Sequence, residues 1–122
     1  MDPQPKWMDY KGKKILYVDV RKATGDEFVA VLEKSKTMLW AQPSKVPYLG
    51  NIEDSTVSKE VMDWIKTNGP DTGRGRMEKL AVVGATGVKK VFMEVVQLVL
   101  SKVAVPARGF KTEQEALDWL VQ

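Results

Sequence analysis

The chain has 122 residues, 43% hydrophobic and 29% charged, the size of one domain able to bury about two thirds of its unfolded surface. It has no cysteine and no histidine, which removes disulfides, thiolate metal sites, thiol nucleophiles and the commonest general base. The formal charge of +3 is too small to imply nucleic acid. The clusters Lys11, Lys13, Lys14 and Arg74, Arg76 carry no aromatic interleaving of the kind a nucleic-acid surface uses.

Residues 1–6, with Pro3 and Pro5, read as a flexible end without the apolar core of a signal peptide; residues 7–122 read as a single domain. Trp7-Met-Asp-Tyr10, the turn Lys11-Gly12 and the apolar run Ile15 to Val20 predict a hairpin. Thr24-Gly-Asp-Glu27 is a capping box opening a helix with the stripe Phe28, Leu32, Ser35, Leu39, closed by Pro43. Residues 46–52 form a weaker strand, expected to begin after Pro47 or to leave its N–H side exposed there. Ser58 caps a short helix through Val61, Trp64 and Ile65 that should stop at Asn68-Gly69-Pro70. A mobile loop, 71–78, then precedes the strand Leu80-Ala-Val-Val83, whose fully apolar composition marks burial on both faces.

After the turn Gly84-Ala-Thr-Gly87, residues 88–101 form an unusually apolar helix. Lys90, Glu94, Gln97 and Ser101 share a narrow arc, and apolar side chains cover most of the rest. That is more apolar surface than docking on one sheet requires, and Met93 and Leu100 are expected off the central stripe, where lysines would be tolerated by the fold. Lys89, Lys90, Glu94 and Lys102 argue against a membrane span, so the expected location is the cytoplasm. Residues 103–105 read as a last short strand, and Thr112-Glu-Gln-Glu115 as a second capping box before the terminal helix. Trp40, Trp64 and Trp119 fall on apolar helix faces and are expected in the core. The strand–helix unit thus recurs four times. It predicts an α/β fold with a mostly parallel or mixed sheet of four to five strands, right-handed crossovers and helices mainly on one face.

Tyr10-Lys-Gly-Lys-Lys-Ile-Leu-Tyr-Val-Asp19, Leu80-Ala-Val-Val-Gly-Ala-Thr-Gly-Val-Lys-Lys90 and Phe110-Lys-Thr-Glu-Gln-Glu-Ala-Leu-Asp-Trp-Leu120 together resemble the SpoIIAA-like family. These are small bacterial STAS-type domains akin to anti-sigma-factor antagonists. The resemblance implies a right-handed strand–helix superhelix, related in shape to CRAL-TRIO lipid-transfer domains. It also implies signalling through a regulatory partner (a kinase or anti-sigma-like protein), or an apolar ligand with peripheral association at the inner face of the membrane, and a homodimer. In anti-sigma antagonists a serine in an Asp-Ser-Ser-Gly segment is phosphorylated. The matching stretch here is Asp54-Ser55-Thr56-Val57-Ser58, lacking the glycine, and Asn51 stands where the family usually carries an aspartate.

Three candidate sites follow. Ser55, Thr56 and Ser58 are candidates for phosphorylation near a helix N-terminus, where negative charge is tolerated. Asn51, Gly84, Thr86, Gly87, Lys89 and Lys90 are candidates for a ligand or anion-binding loop. Phe92, Met93, Val96 and Leu100 are candidates for an apolar gate over a hydrophobic pocket. No nucleophile–base pair is visible, no metal site or cofactor is expected, and the function expected is a non-catalytic regulatory or interaction domain binding a small apolar or anionic ligand. The alternative is a lipid or fatty-acid binder at the membrane surface.

Overall fold

Apolar residues on both faces of a strand require cover on both sides, and three such strands occupy the centre of this molecule. The computed structural model describes residues 4–122. In it Lys13–Asp19 (β2), Val46–Asn51 (β3) and Met77–Val83 (β4) pair in parallel. Gln4–Tyr10 (β1) joins β2 as an antiparallel hairpin, and Ala107–Phe110 (β5) joins β4 in parallel. Among the described residues the sheet runs β1-β2-β3-β4-β5, with the α-helices Gly25–Trp40 (α1), Lys59–Gly73 (α2), Lys90–Ser101 (α3) and Glu113–Leu120 (α4). This is the mixed five-stranded α/β sheet that the repeated strand–helix unit predicts.

Side chains alternate between faces along a strand, and here they feed two cores. Leu16, Val18, Tyr48, Leu80 and Val82 pack under α1, α2 and α3. Ile15, Tyr17, Leu49, Ala81 and Val83 meet Ala116, Leu117 and Leu120 of α4. Crossovers of one hand between neighbouring parallel strands place their helices on one face. The last helix is not a crossover and is free to cover the other, so that face is partly clad rather than bare.

Local signals hold where they are local. Thr24 and Glu27 form the reciprocal capping box of α1, and Ser58 caps α2 alone. At α4 the Thr112 hydroxyl accepts from the Glu115 N–H but donates to the Glu115 carboxylate, so the second box is only half formed. Pro47, expected before the strand or on an exposed side, is instead buried within the central strand β3, where a register shift in the β3–β4 ladder absorbs its missing N–H. At the sheet margins, Pro5 lies in β1, and the Gln97 amide donates to the Ala107 carbonyl of β5 at 3.1 Å.

Five further expectations are corrected. Residues 4–6 belong to β1 rather than to a flexible end; the rest of that expectation, residues 1–3, lies outside the described residues. The Asn68-Gly69-Pro70 stop is overridden: α2 continues through Pro70 to Gly73 and β4 begins at Met77, so the loop expected over 71–78 shrinks to 74–76. A Cβ at Gly69 would stand 2.6 Å from Val99 Cγ1, so the bare backbone lets α2 and α3 approach closely, and that packing sustains the extra turn. The last strand is Ala107–Phe110, not 103–105: Ala104 turns left-handed at φ 59°, and Val105 is buried as an anchor. Trp40 is 48% exposed beneath the stacked Arg76 guanidinium, 4.5 Å from the ring centroid. Finally, Met93 and Leu100 are buried, whereas Val88, Val91 and Leu98 carry the excess apolar surface of the α3 segment. Lysines at Met93 and Leu100 would therefore damage the core.

Gly84 closes β4 at φ 96°, and an added Cβ would stand 2.8 Å from the Glu53 backbone nitrogen. Backbone cannot step aside as a flexible side chain can. Gly84→Ala is expected to lose about 2–4 kcal/mol by urea denaturation, from left-handed strain plus overpacking.

Candidate functional site

The buried stripe of α1 carries one polar residue, Ser35, among Phe28, Leu32 and Leu39. Its hydroxyl donates to the Leu32 carbonyl at 2.8 Å and lies 2.8 Å from the Tyr48 hydroxyl of β3. Serine has one proton, so Tyr48 is the donor in that second bond. Burial pushes the Tyr48 phenol well above its ordinary range, which keeps that proton in place.

Both residues line a cavity of about 70 Å³ between the sheet and α1–α3, their hydroxyls turned to each other. Its wall is otherwise apolar, with Phe28, Leu80, Phe92 and Val96 among the lining side chains. The extra turn of α2 adds Thr72, 3% exposed. Among the described residues, the Thr72 hydroxyl is the buried side-chain polar atom without a hydrogen-bond partner. Leaving a buried hydroxyl unpaired costs about 1–3 kcal/mol. Outside the cavity the α1–α2 seam is tied by Trp64 Nε1 donating to Glu33 and by Lys36 Nζ donating to Asn68 Oδ1 at 3.0 Å.

The residues expected at a gate divide. Phe92, Val96 and Leu100 reach the cavity wall, whereas Met93 packs toward Gly109 of β5. The expected ligand loop divides too. Gly84, Thr86 and Lys89 line a shallow polar crevice with Glu53, Asp54 and Lys111. Two carboxylates among its charges make it a poor anion cradle, and Lys89 Nζ is spent on the Ile52 carbonyl at 2.9 Å. Gly87 and Lys90 are exposed and lie outside the lining of that crevice.

Asn51 is on the other face of the sheet. Its amide donates to Glu113 Oε2 at 2.7 Å, the oxygen that also accepts from Tyr17, while its own carbonyl oxygen accepts from the Glu53 N–H at 3.0 Å. Burial first, then the Glu113 carboxylate, pushes the Tyr17 phenol up and holds it as a donor. Asn51 thus anchors the start of α4. Of the phosphorylation candidates, Ser55 is buried with its hydroxyl on the Ile52 carbonyl at 2.6 Å, Ser58 is occupied as the cap of α2, and Thr56 is exposed.

The profile of the SpoIIAA-like family matches residues 15–121. The chain belongs to the SpoIIAA-like family. A crystal structure of an uncharacterised protein of the DUF3478 family from Shewanella loihica PV-4, described as having a SpoIIAA-like fold, is similar over 95% of this chain and 91% of that one. The TM-score is 0.67 at 16% identity, a likeness of fold. No curated protein matches the chain. Among the described residues, no helix of this SpoIIAA-like domain is long and apolar enough to cross a membrane.

Sequence reasoning found Ser35 as part of a stripe and missed Thr72, Tyr48 and Glu113. Nothing local distinguishes these three from ordinary surface or core residues; their roles come from contacts across elements.

Two predictions follow from this geometry. Thr72→Val removes the unpaired hydroxyl and is expected to raise stability by about 1 kcal/mol, seen as a higher urea midpoint. Asn51→Asp sets a second carboxylate against Glu113, which raises the folded pKa of the pair above its unfolded value of about 4. Stability is then kept at low pH and lost as pH climbs through the raised value. The variant is expected to match the parent near pH 4 and to fall behind it by about 2 kcal/mol near pH 7 in paired urea titrations.

Proposed function

We propose that this SpoIIAA-like protein is a non-catalytic regulatory domain of STAS type whose ligand is a small apolar molecule held between the sheet and α1–α3. The observation that carries this reading is the cavity itself, walled almost entirely by apolar surface between the sheet and three helices. Ligand sites are mostly apolar hollows with a few placed polar groups. An apolar hollow of about 150 Å³ holds benzene, so about 70 Å³ suits a smaller apolar group before any helix moves. Under xenon pressure, methyl resonances of Val96 and Leu100 should shift in a saturable way. Val96→Phe fills the space and should abolish the shifts while the protein stays folded. Unshifted methyls in the parent protein would end the proposal.

A second reading is favoured by a different surface. Val91 and Leu98 are 58% and 63% exposed, with Val88 just ahead of α3 at 91%. Val91 and Leu98 stand seven residues apart, on one face of a helix, and Lys90 and Lys102, with one carboxylate, Glu94, lie in the same segment. An apolar stripe with lysines beside it suits docking on an anionic bilayer surface. Co-sedimentation with vesicles containing phosphatidylglycerol tests it. Val91→Glu with Leu98→Glu should abolish binding and leave the thermal midpoint unchanged, because neither side chain is in the core. Equal sedimentation of parent and variant would remove the membrane reading.

A further inference from the structure

We infer that the end of the molecule from which the parallel strands start is a docking surface for an acidic segment of a partner protein, centred on Trp40 and Arg76. This surface is separate from the cavity and does not rest on its reading. Topology assembles it. Because β2, β3 and β4 run parallel, their first residues Lys13, Val46 and Met77 share one end of the sheet. The two basic clusters of the sequence, far apart along the chain, meet there. The Val46 N–H donates to the Arg76 carbonyl at 3.0 Å, which sets Lys45 beside the loop carrying Arg74 and Arg76. Lys14 Nζ donates to Gln42 Oε1 at 3.1 Å, which ties the β1–β2 hairpin to the residues just past α1.

Two tryptophans lie in this surface, each beneath a cation. The Arg76 guanidinium is 4.5 Å from the Trp40 ring centroid and donates from Nη1 to the Trp40 carbonyl at 3.4 Å. The Lys14 ammonium is 4.2 Å from the ring centroid of Trp7. A cation pinned in this way has already given up rotamer freedom, so a carboxylate that meets it adds little ordering cost. One N–H of Arg76 is spent on Trp40, and a guanidinium has others with which to grip a carboxylate. Trp40, 48% exposed, offers apolar area at the same spot. Tryptophan and arginine are the side chains on which the affinity of protein interfaces concentrates.

Charge selects the partner. Lys14, Lys45 and Arg74 are exposed, Arg76 is half-buried, and none of the four belongs to an ion pair among the described residues. Of the carboxylates at this end, Glu78 and Asp118 are held by Lys13 and Lys11, while Asp9 and Asp71 are exposed. An excess of uncommitted cations with acidic neighbours complements a ligand of a few, spaced negative charges. A nucleic-acid strand asks for more. Its phosphates follow one another without a break, and Asp9 and Asp71 would interrupt such a track. Its bases stack on open aromatic faces, whereas a cation lies on each ring here. A short acidic stretch with one apolar residue uses both features, its carboxylates on Arg76 and the neighbouring cations, its apolar side chain on Trp40.

The test presents a random-peptide phage library to the whole protein and removes the peptides that also bind the variant Trp40→Ala with Arg76→Ala. Those that remain should be rich in aspartate and glutamate around one apolar residue. A synthetic copy of the strongest should bind about tenfold more weakly to Trp40→Ala, and as weakly to Lys45→Glu with Arg74→Glu. Its binding to the parent should weaken as salt is raised. The charge-reversed variant changes only exposed side chains, so its thermal midpoint should match the parent's and its loss of binding is not a loss of fold. None of these residues lines the cavity, so failure here leaves the cavity reading standing. The proposal is overturned if no peptide discriminates, if those that do are neutral or basic, or if the synthetic copy is indifferent to salt or held as tightly by either variant as by the parent. An oligothymidylate, or vesicles containing phosphatidylglycerol, bound by the parent and lost with Lys45→Glu and Arg74→Glu would equally overturn it, because the surface would then serve a nucleic acid or a bilayer.

Discussion

Parallel pairing of chain neighbours is the constraint on which the rest of this structure depends. Once β2, β3 and β4 lie side by side in chain order, the crossovers α1 and α2 must share a face, and α3 follows them as the crossover to β5. Three helices over one face of a twisted sheet do not close on it perfectly, and the residual space between them is the cavity. The opposite face receives the one helix that has no further strand to reach. The asymmetry of the fold and the position of its hollow thus have a common origin in connectivity.

That hollow is maintained by two kinds of contact. On the α2–α3 side the seam is steric: Gly69 and Gly73 let the helices meet almost backbone to side chain. On the α1–α2 side it is polar, through Glu33 with Trp64 and Lys36 with Asn68. A steric seam between close-packed surfaces resists separation, because every small displacement forfeits dispersion contacts. A seam of half-exposed hydrogen bonds exchanges readily with water, at little net cost. The two sides of α2 therefore differ in how easily they part.

The legible portion of this molecule was the portion governed by near neighbours in the chain. Thr24 with Glu27, Ser58 and Thr112 announced helix starts because a cap is satisfied within one turn. The apolar run at β4 announced a central strand because burial on both faces leaves no alternation. Illegible were the places where distant packing outvoted a local signal. Asn68-Gly69-Pro70 is a stop on local grounds, yet the helix runs on because Gly69 fits against Val99. Ala107-Arg-Gly-Phe110 lacks the look of a strand because it is an edge, half open to water. For α3 the amount of apolar surface could be counted from the chain, but which of Met93, Leu98 and Leu100 faced inward depended on where α2 and β5 stood. Thr72 was invisible for the same reason, since an orphaned hydroxyl is defined by what fails to surround it.

The two margins of the sheet carry a last consequence. One border strand contains Pro5, which has no N–H to offer a newcomer; the other is four residues long, and the Gln97 amide already occupies its Ala107 carbonyl. Sheets with long open borders invite copies of themselves to stack in ribbons and fibrils. This one has both ends of its ladder blunted, so crowding should favour discrete particles over filaments.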